Sequence, residues 1–253
     1  MRIKAEKLRV CYTEGNPVLF NVNMDAAQGQ WLMLLGPNGA GKSTLIKALS
    51  RTIAYEGTIK INDKDIKTIP PRKLARVVGV LQQSNPVNYA FTVEEIIRLG
   101  RYAHSNGIFS KPLAEDEDMV NQALEWTGLN DLRSRSILSL SGGEKQRAFL
   151  AQVFAQNPSI LLLDEPSSSL DLKHQQRLFE LVHKWLSMPD RCVISAVHDL
   201  SLAKKYGSHA LLLSKGEAVA GGRIQDVFSD ANLSRVYSMD VRGWMKDMLA
   251  QWV

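Results

Sequence analysis

Residues 36–44 read Gly-Pro-Asn-Gly-Ala-Gly-Lys-Ser-Thr, a run that strongly constrains the fold around it. The apolar residues 31–35 before it predict a buried strand, and residues 45–49 after it predict a helix. Glycines let the backbone curl where a Cβ would clash, and a helix start attracts an anion. The pattern therefore predicts a phosphate cradle, in which Lys42 reaches the β- and γ-phosphates and the Ser43 hydroxyl binds Mg²⁺. The alternative is an ordinary glycine-rich turn between a strand and a helix.

A second glycine-rich turn, Leu140-Ser141-Gly142-Gly143-Glu144, lies far along the chain from the first. Ser141 and Glu144 have the spacing of a capping box, which predicts the start of a helix that runs to Gln156. The two glycines in its first turn also make this helix start a candidate anion site. One nucleotide needs only one cradle, so two different ones predict that ATP is held from both sides and joins two copies of the chain. The capping box Thr92–Glu95 has no glycines, and we interpret it as structural only.

Two carboxylates and a histidine follow two further apolar runs. The run 160–163 predicts a buried parallel strand with Asp164 and Glu165 at its carboxyl end. Asp164 is suited to hold Mg²⁺, directly or through water, and Glu165 points elsewhere, toward the position of an attacking water. His198 follows the apolar run 192–197 and could bond the γ-phosphate, although a lone histidine after a strand is more often structural. A pair of surface acids at a strand end is the alternative for the two carboxylates.

The order of the predicted elements is typical of an α/β protein. Strands and helices alternate over most of the chain, which predicts a mainly parallel sheet. Residues 2–30 instead have short alternating segments and a turn at Glu14-Gly15-Asn16-Pro17, which predicts an antiparallel β edge. Between residues 83 and 156 the strand signals vanish and three helices are predicted. These helices cover residues 92–100, 115–127 and 142–156.

The last part of the chain gives weaker signals. The pattern predicts a helix over 200–206, a strand over 210–213 and a turn at 215–217. Gly221-Gly222-Arg223 is too weak for a further phosphate site and is interpreted as a turn. A tail stripe at helical spacing is predicted to pack on its own domain, with a contact between copies as the alternative. The stripe comprises Val241, Met245, Met248, Leu249 and Trp252, with Trp244 beside it.

Size and composition fit one large domain and exclude several classes. The chain has 253 residues, a mass of 28.2 kDa and two cysteines, too few for a disulfide framework. No apolar run reaches the ~18–20 residues that span a bilayer, and the N-terminus lacks the apolar segment of a signal peptide, which predicts a cytosolic protein. The net charge of +5 includes no dense Lys/Arg block, so we expect no nucleic-acid partner.

These segments resemble the motifs of ATP-binding cassette (ABC) ATPases, in the family's order and over almost the whole chain. Gly36–Thr44 resembles the Walker A motif, Ile160–Glu165 the Walker B motif, and Leu140–Glu144 the signature motif. The resemblance assigns nucleotide binding to Tyr12, Gly36, Pro37, Asn38, Gly39, Ala40, Gly41, Lys42, Ser43, Thr44, Ser141, Gly142, Gly143 and Asp171. It assigns Mg²⁺ binding to Ser43, Gln83 and Asp164, and catalysis to Glu165, His198, Gln83 and Lys42.

The remaining motifs are single residues or short loops. Tyr12 matches the aromatic residue that stacks on adenine in the family, with Phe20 as a weaker alternative. Gln83 matches the glutamine of the Q-loop, which touches Mg²⁺ and couples to the transporter, and the neighbouring Gln82 is the alternative. Residues 168–171, Ser-Ser-Leu-Asp, match the D-loop.

The resemblance also implies an architecture. The expected fold is a P-loop NTPase core with a mainly parallel sheet, an antiparallel β edge and an inserted helical subdomain. Residues 1–253 would form a single ABC ATPase domain, with a catalytic α/β lobe at 1–83 and 157–253 and the helical subdomain at 84–156.

A mechanism and partners follow from the same resemblance. Two copies would meet head to tail around a two-fold axis, so that each ATP with its Mg²⁺ lies between the cradle of one copy and Ser141–Gly143 of the other. Glu165 would position the attacking water as a general base, while His198, the switch histidine, and Gln83 would sense the γ-phosphate. Hydrolysis would separate the copies and drive two transmembrane permease subunits from the cytoplasmic face of the cell membrane. An extracytoplasmic substrate-binding protein would serve the same system.

The run Leu99-Gly100-Arg101-Tyr102-Ala103-His104 narrows the expected transport class. It is similar to the LGRxPH run of ATPases from iron-siderophore, haem and cobalamin importers, although Ala103 replaces the usual proline. The expected function is therefore that of the ATP-hydrolysing subunit of such an importer. Two alternatives stay open: a soluble ABC ATPase without a permease, such as an iron–sulfur assembly factor, and the ATPase subunit of an exporter.

Overall fold

The computed structural model describes residues 1–13, 16–83, 87–105, 113–168 and 170–252. The predicted turn residues Glu14 and Gly15 and the D-loop residue Ser169 lie outside the described residues. In chain order, the strands of the described part are β1 (Arg2–Thr13), β2 (Asn16–Ala27), β3 (Trp31–Leu35), β4 (Glu56–Ile61), β5 (Lys64–Asp65), β6 (Val78–Leu81), β7 (Ile160–Asp164), β8 (Cys192–Ala196), β9 (His209–Ser214) and β10 (Glu217–Arg223).

The α-helices of the same residues agree with most of the predicted ones. They are α1 (Lys42–Leu49), α2 (Pro71–Val77), α3 (Val93–Leu99), α4 (Ala114–Thr127), α5 (Gly142–Gln156), α6 (Leu172–Leu186), α7 (Leu200–Tyr206), α8 (Ile224–Val227), α9 (Asp230–Tyr237) and α10 (Val241–Ala250). Both predicted capping boxes are present, at the starts of α3 and α5.

Two sheets form the α/β part of the molecule. The central sheet has the order β10-β9-β3-β8-β7-β6, in which every neighbouring pair is parallel except β10 with β9. The second sheet has the order β2-β1-β4-β5 and is antiparallel throughout. The predicted fold class is therefore confirmed, and the antiparallel strands β1 and β2 belong to a sheet of their own.

The central sheet is buried on both faces, which explains why its strands are continuous apolar runs. All five residues of β3 are buried. Trp31 and Met33 belong to a core shared with the helices, while Leu32 and Leu34 belong to a second core shared with the antiparallel sheet. The Trp31 ring stacks on Phe179 of α6 at 5.4 Å between ring centres. This packing fixes β3, and with it the segment that follows.

Between β6 and β7, the described residues form helices and short 3-10 turns, apart from one isolated bridge between Thr92 and Ser136. This agrees with the loss of strand signals in the sequence. The domain limits at residues 84 and 156 stay a prediction.

The run Leu99–His104 packs on α5 and also joins this helical segment to the α/β part, since Arg72 and Arg76 of α2 donate to the Ala103 carbonyl. A Cβ on Gly100 would lie 2.1 Å from the Gln152 carbonyl oxygen of α5, so only glycine fits there. Arg101 is 4% exposed and donates to Asp116 at 2.7 Å and to the Ala155 carbonyl at 3.0 Å. The predicted importer marker is therefore also a packed structural element.

Two C-terminal predictions need correction or refinement. The predicted turn at Gly221–Arg223 is wrong, because these residues pair with residues 209–211 as the end of β10. In the tail stripe, Val241 is buried and Met245 packs against the core, but Leu249 and Trp252 are exposed. In the described part of the chain, every helix is too short or too polar to cross a membrane.

Candidate functional site

The carboxyl ends of three neighbouring strands place the predicted phosphate-site residues at one edge of the central sheet. Since β3, β8 and β7 are adjacent and parallel, their carboxyl ends lie side by side. The run 36–43 follows β3, His198 follows β8, and Asp164 and Glu165 lie at the end of β7. Gln83 lies just beyond β6, the next strand in the sheet. In a parallel sheet this edge is where ligands bind.

The first glycine-rich turn depends on its glycines for different reasons. Gly36 has φ +144°, and a Cβ there would lie 2.0 Å from the Leu213 carbonyl oxygen of β9. Gly41 has φ +100°, and a Cβ there would lie 2.5 Å from Leu19 Cδ2 of β2. Gly39 has φ +78° and open space where its Cβ would be. The chain's own packing therefore requires glycine at 36 and 41, and the open side of Gly39 can receive a ligand.

Lys42 begins α1 and is 4% exposed. Its ammonium donates to the carbonyl oxygens of Gly36 at 2.8 Å and Pro37 at 3.1 Å. Burial lowers the pKa of Lys42, and the nearby charges of Glu165 and Asp164 oppose that change. A buried ammonium that is held by neutral carbonyls gains free energy from an anion, so a phosphate group is a suitable partner.

Ser43 and Asp164 form an oxygen pair suited to a small hard cation. The Ser43 hydroxyl donates to Asp164 Oδ1 at 2.8 Å, and Asp164 is 7% exposed. Burial raises the pKa of the Asp164 carboxyl, and the charge of Glu165 adds to the increase, while the Ser43 hydrogen bond opposes it. A hydroxyl and a carboxylate oxygen are the kinds of ligand that Mg²⁺ prefers, so the chemistry of this pair fits the ion.

Glu165 lies between the other two predicted catalytic side chains. Gln83 Nε2 donates to its Oε2 at 2.7 Å, and His198 Nε2 lies 2.5 Å from its Oε1. Since a carboxylate only accepts, the histidine donates in this contact. The backbone of Glu165 has φ +48°, an uncommon conformation for this residue type, and its N–H donates to the Ala196 carbonyl of β8 at 3.0 Å. Such strain is often found at functional sites. Glu165 contacts Gln83 and His198 whereas Asp164 contacts Ser43, so the two neighbouring carboxylates face different groups.

A cleft of about 410 Å³ lies beside this cluster. Both Gln82 and Gln83 line it, together with Asp164 and residues of α1. The cleft alone therefore does not distinguish the two candidate Q-loop glutamines. The hydrogen bond to Glu165 belongs to Gln83, which favours the residue chosen from the sequence.

Tyr12 and Phe20 differ in their relation to the cradle. The Tyr12 hydroxyl lies 3.3 Å from the Thr44 hydroxyl, and 56% of the residue is exposed. Leu19 contacts the cradle at Gly41, so Phe20, the next residue on β2, points to the opposite face of the sheet. An exposed ring beside α1 can stack on a base, which favours Tyr12 over Phe20 for that role.

The second glycine-rich turn is built as a capped helix start. Ser141 Oγ accepts from the Glu144 N–H at 3.3 Å, and the Glu144 carboxylate accepts from the Ser141 N–H at 2.8 Å. Asp171 caps α6 in the same way, since its carboxylate accepts from the His174 N–H at 2.9 Å. Within residues 1–13, 16–83, 87–105, 113–168 and 170–252, no hydrogen bond or ion pair links Ser141–Gly143 to the cradle. One copy of the chain thus brings together the cradle, Gln83, Asp164, Glu165 and His198. No such contact among the described residues includes the second turn.

Sequence reasoning missed the contacts that hold these loops. Gln146 of α5 donates to the Pro166 carbonyl at 3.2 Å, just after the Glu165 position. Gln175 of α6 donates to the carbonyls of Ser167 at 3.2 Å and Leu170 at 3.0 Å. A glutamine in a helix has no sequence signal that separates a solvated side chain from one that caps a distant loop.

Comparisons with known proteins bear on the family of this chain. The family described as ABC transporter matches residues 19–168. The hemin import ATP-binding protein HmuV of Streptomyces coelicolor is 39% identical over 90% of this chain and 80% of its own length. The ferric enterobactin transport ATP-binding protein FepC of Escherichia coli is 34% identical over 94% of this chain and 88% of its own length. The uncharacterized ABC transporter ATP-binding protein YvrA of Bacillus subtilis is 35% identical, and the chain spans 54% of that protein.

Solved structures show the same fold. A structure described as an inward-facing metal-chelate type ABC transporter has a TM-score of 0.81 and 28% identity, covering 94% of this chain and 89% of that one. A dimeric ATP-binding cassette in a post-hydrolysis state, bound to ADP and Pi, has a TM-score of 0.77 and 24% identity, covering 88% of this chain and 98% of that one. At that identity the likeness shows the fold alone. The family match and the relatives above 30% identity together establish that this chain belongs to the ABC transporter family.

Proposed function

We propose that this chain is the ATP-hydrolysing subunit of an ABC importer for an iron-siderophore, haem or cobalamin-type substrate. The observation that carries the hydrolytic part is the Glu165 carboxylate, which accepts from Gln83 and His198 at the sheet edge that also carries the cradle. The names of the relatives support the import class, since HmuV is a hemin import protein and FepC a ferric enterobactin transport protein.

The cradle would hold the phosphates of ATP. Lys42 exchanges its carbonyl partners for the β- and γ-phosphates, and the backbone N–H groups at the start of α1 add to this anion site. The open side of Gly39 leaves room for that approach. Tyr12 stacks on adenine at the other end of the nucleotide. Ser43 and Asp164, with Gln83 nearby, would hold Mg²⁺, which when bound neutralises phosphate charge.

Glu165 would orient the attacking water and accept its proton. Gln83 and His198 aim the carboxylate by donating to one oxygen each, which leaves lone pairs on both oxygens for the water. By the family resemblance, the same two side chains would also contact the γ-phosphate and report its presence. A positioned carboxylate base contributes between about 100- and 10,000-fold to a rate.

The second turn would complete the site of another copy. Ser141, Gly142 and Gly143, with Asp171 of the D-loop, would contact the nucleotide that the partner's cradle holds. An isologous, two-fold arrangement satisfies both sites at once. ATP would therefore join two copies, and its hydrolysis would separate them.

The partners would be two transmembrane permease subunits and an extracytoplasmic substrate-binding protein, with this chain at the cytoplasmic face of the membrane. The run Leu99–His104 and the relatives' names favour this importer class over an exporter or a soluble assembly ATPase.

Replacing Glu165 tests the hydrolytic role. We expect Glu165→Gln to lower kcat between about 100- and 10,000-fold and to trap an ATP-bound dimer in size-exclusion chromatography, because the amide cannot accept the proton. Lys42→Ala is the matched comparison, and it should lose both nucleotide binding and the dimer. Turnover at the wild-type rate in Glu165→Gln would remove Glu165 from its proposed role.

Co-purification from native membranes tests the transport role. We expect a polytopic permease to remain bound to the chain and an extracytoplasmic binding protein to belong to the same system. Recovery of the chain without any membrane partner would favour the soluble ATPase. A permease that functions without a binding protein would favour the exporter.

A further inference from the structure

The two adjacent glycines of the second turn face different surroundings. A Cβ on Gly142 would meet no atom of this chain within 4 Å. A Cβ on Gly143 would lie 2.8 Å from Cδ2, 3.0 Å from Cγ and 3.2 Å from Nε2 of His174. Nothing within the chain therefore demands glycine at 142, whereas the ring of His174 occupies the space beside 143.

The His174 ring is held in that place from the other side. Its Nδ1 lies 2.7 Å from Asp171 Oδ1 and must be the donor, because the carboxylate only accepts. The His174 N–H also donates to the same oxygen at 2.9 Å, as part of the cap of α6. Turning the ring away from Gly143 would break the first of these hydrogen bonds. The ring is consequently a poor candidate for a side chain that simply moves aside.

One further contact connects the start of α5 to the loop before α6. Gln146, one turn after Gly142 on α5, is 9% exposed and donates to the Pro166 carbonyl at 3.2 Å. Gln175, next to His174 on α6, ties the same loop to α6 by donating to the carbonyls of Ser167 and Leu170. The start of α5 thus contacts this part of the chain at Pro166 and at His174, and His174 lies between Gly143 and Asp171.

We propose that His174 is a positioning residue, which fixes the second turn relative to Asp171 of its own chain. This rests on the proposed function, in which Ser141–Gly143 and Asp171 of one copy both approach the nucleotide of the other. With His174 in place, the two segments reach that nucleotide as one unit with a set spacing. Gly143 is then a glycine because the His174 ring packs against its backbone, and Gly142 is a glycine because a ligand or a partner copy must approach it.

A set of five variants tests this assignment: His174→Ala, Gly143→Ala, Gly142→Ala, and the double variants of His174→Ala with Gly143→Ala and with Gly142→Ala. We expect His174→Ala to lower kcat between about 10- and 100-fold, since small misplacement of a contacting group has effects of this size. The ATP affinity of the isolated subunit, which depends on its own cradle, should stay unchanged. Gly143→Ala should lose more activity than His174→Ala.

The decisive result is rescue. In the double variant of His174→Ala with Gly143→Ala, the new methyl group has space. Its kcat should therefore rise from the value of Gly143→Ala to that of His174→Ala alone. The matched pair at residue 142 should show no rescue, because His174 is not what restricts Gly142. The proposal would be overturned if His174→Ala kept the wild-type kcat. It would also be overturned if the double variant of His174→Ala with Gly143→Ala showed the product of the two separate losses in kcat. If Gly143→Ala does not fold, His174→Ala still tests the proposal, because a lower kcat with unchanged ATP affinity is expected only if His174 positions the second turn.

Failure of the proposed function has a different signature. If no ATP-dependent dimer forms and Gly142→Ala keeps wild-type turnover, the second turn does not meet a partner's nucleotide. The thermal unfolding midpoints of the same variants still measure whether Gly143 and His174 interact, because that readout requires no catalysis.

Discussion

The two glycine-rich turns of this chain are built in opposite ways. The cradle is enclosed by its own chain: Gly36 is pressed against β9, Gly41 against β2, and the Lys42 side chain is buried. The second turn lies at the exposed start of α5 and is held by its own capping box and by His174. The first turn is thus complete within one copy. The second has a glycine at position 142, where a Cβ would contact no other atom of the described part of this chain.

The difference teaches how to separate folding from function in glycine-rich motifs. Where a Cβ would strike the chain's own backbone, the glycine is a requirement of the fold. Where a Cβ would meet nothing, the glycine is explained by what approaches from outside. By this criterion residues 36 and 142 should respond to the same substitution in different ways.

The largest expected effect comes from Gly36→Ala. The methyl group would lie 2.0 Å from the Leu213 carbonyl oxygen at φ +144°, so we expect a loss of about 4 kcal/mol in the free energy of unfolding, together with loss of nucleotide binding. Gly39→Ala, at φ +78° but with open space, should lose only about 1 kcal/mol. Gly142→Ala should leave the free energy of unfolding near the wild-type value. Chemical denaturation measures all three, and equal losses at 36 and 142 would break the comparison.

The next effect concerns the helical segment that carries the second turn, at the opposite end of α5. Asp116→Asn leaves the Arg101 guanidinium buried without its carboxylate, which should cost about 3 kcal/mol of unfolding free energy. Glu115→Gln is the matched control, because Glu115 also pairs with Arg101 but at 3.5 Å and with an exposed side chain. Its cost should stay below about 1 kcal/mol. Similar losses in both variants would mean that burial of this ion pair is unimportant.

Ser141→Arg tests whether the second turn contacts a nucleotide that another copy holds. A large cation in the second turn should block the approach of a partner's nucleotide, so we expect hydrolysis to fall about 100-fold while the ATP affinity of the isolated subunit is kept. Thr92→Arg is the control, since it removes the cap of α3 from a capping box without glycines. That variant should lose some stability through the lost cap but keep its turnover per folded molecule. An equal fall in affinity for Ser141→Arg would contradict the cross-copy assignment.

The smallest effect is an acid-dependent one in the helical segment that carries the second turn. Hydrogen bonds from Arg133 and Arg98 lower the pKa of Glu94 to about 2, against the opposing effect of burial. The folded-state pKa lies below the ordinary value of 4.5, so the stabilisation is present above about pH 4.5 and is lost as the pH falls toward 2.

Glu94→Gln should therefore cost about 1 kcal/mol at neutral pH and flatten the pH dependence of unfolding between pH 4.5 and 2. Glu125→Gln removes a carboxylate that forms no ion pair within the described ranges, and it should leave that dependence unchanged. Denaturation curves at several acidic pH values distinguish the two.

Much of the fold follows from local pattern. The strand at 31–35 and the helix at 142–156 were predictable because apolar runs and a capping box act over a few residues. The end of β10 was not, because Gly221 and Gly222 carry no strand signal, and only pairing with β9 makes them extended. Tertiary pairing here overrides local preference.

The residues of the candidate site also fall into those that local sequence pattern predicts and those that only tertiary contacts reveal. The sequence identifies the cradle and the residues at the strand ends, and the structure brings Gln83, Glu165 and His198 into contact. Residues that hold loops from a distance, such as His174 and Gln146, could not be found, since their roles depend on contacts between helices that are remote in sequence.

The anchoring of α5 has a mechanical consequence. At its carboxyl end, Gln156 donates to the carbonyls of Ala75 and Val78 and accepts from His104, so this end is pinned next to the strand that leads to Gln83. A helix of 15 residues is a rod of about 22 Å. If α5 turns by about ten degrees about the pinned end, together with the loop that Gln146 and His174 hold to its start, Ser141 travels about 4 Å. A small rotation at the pinned end of α5 therefore produces a larger displacement at the second glycine-rich turn.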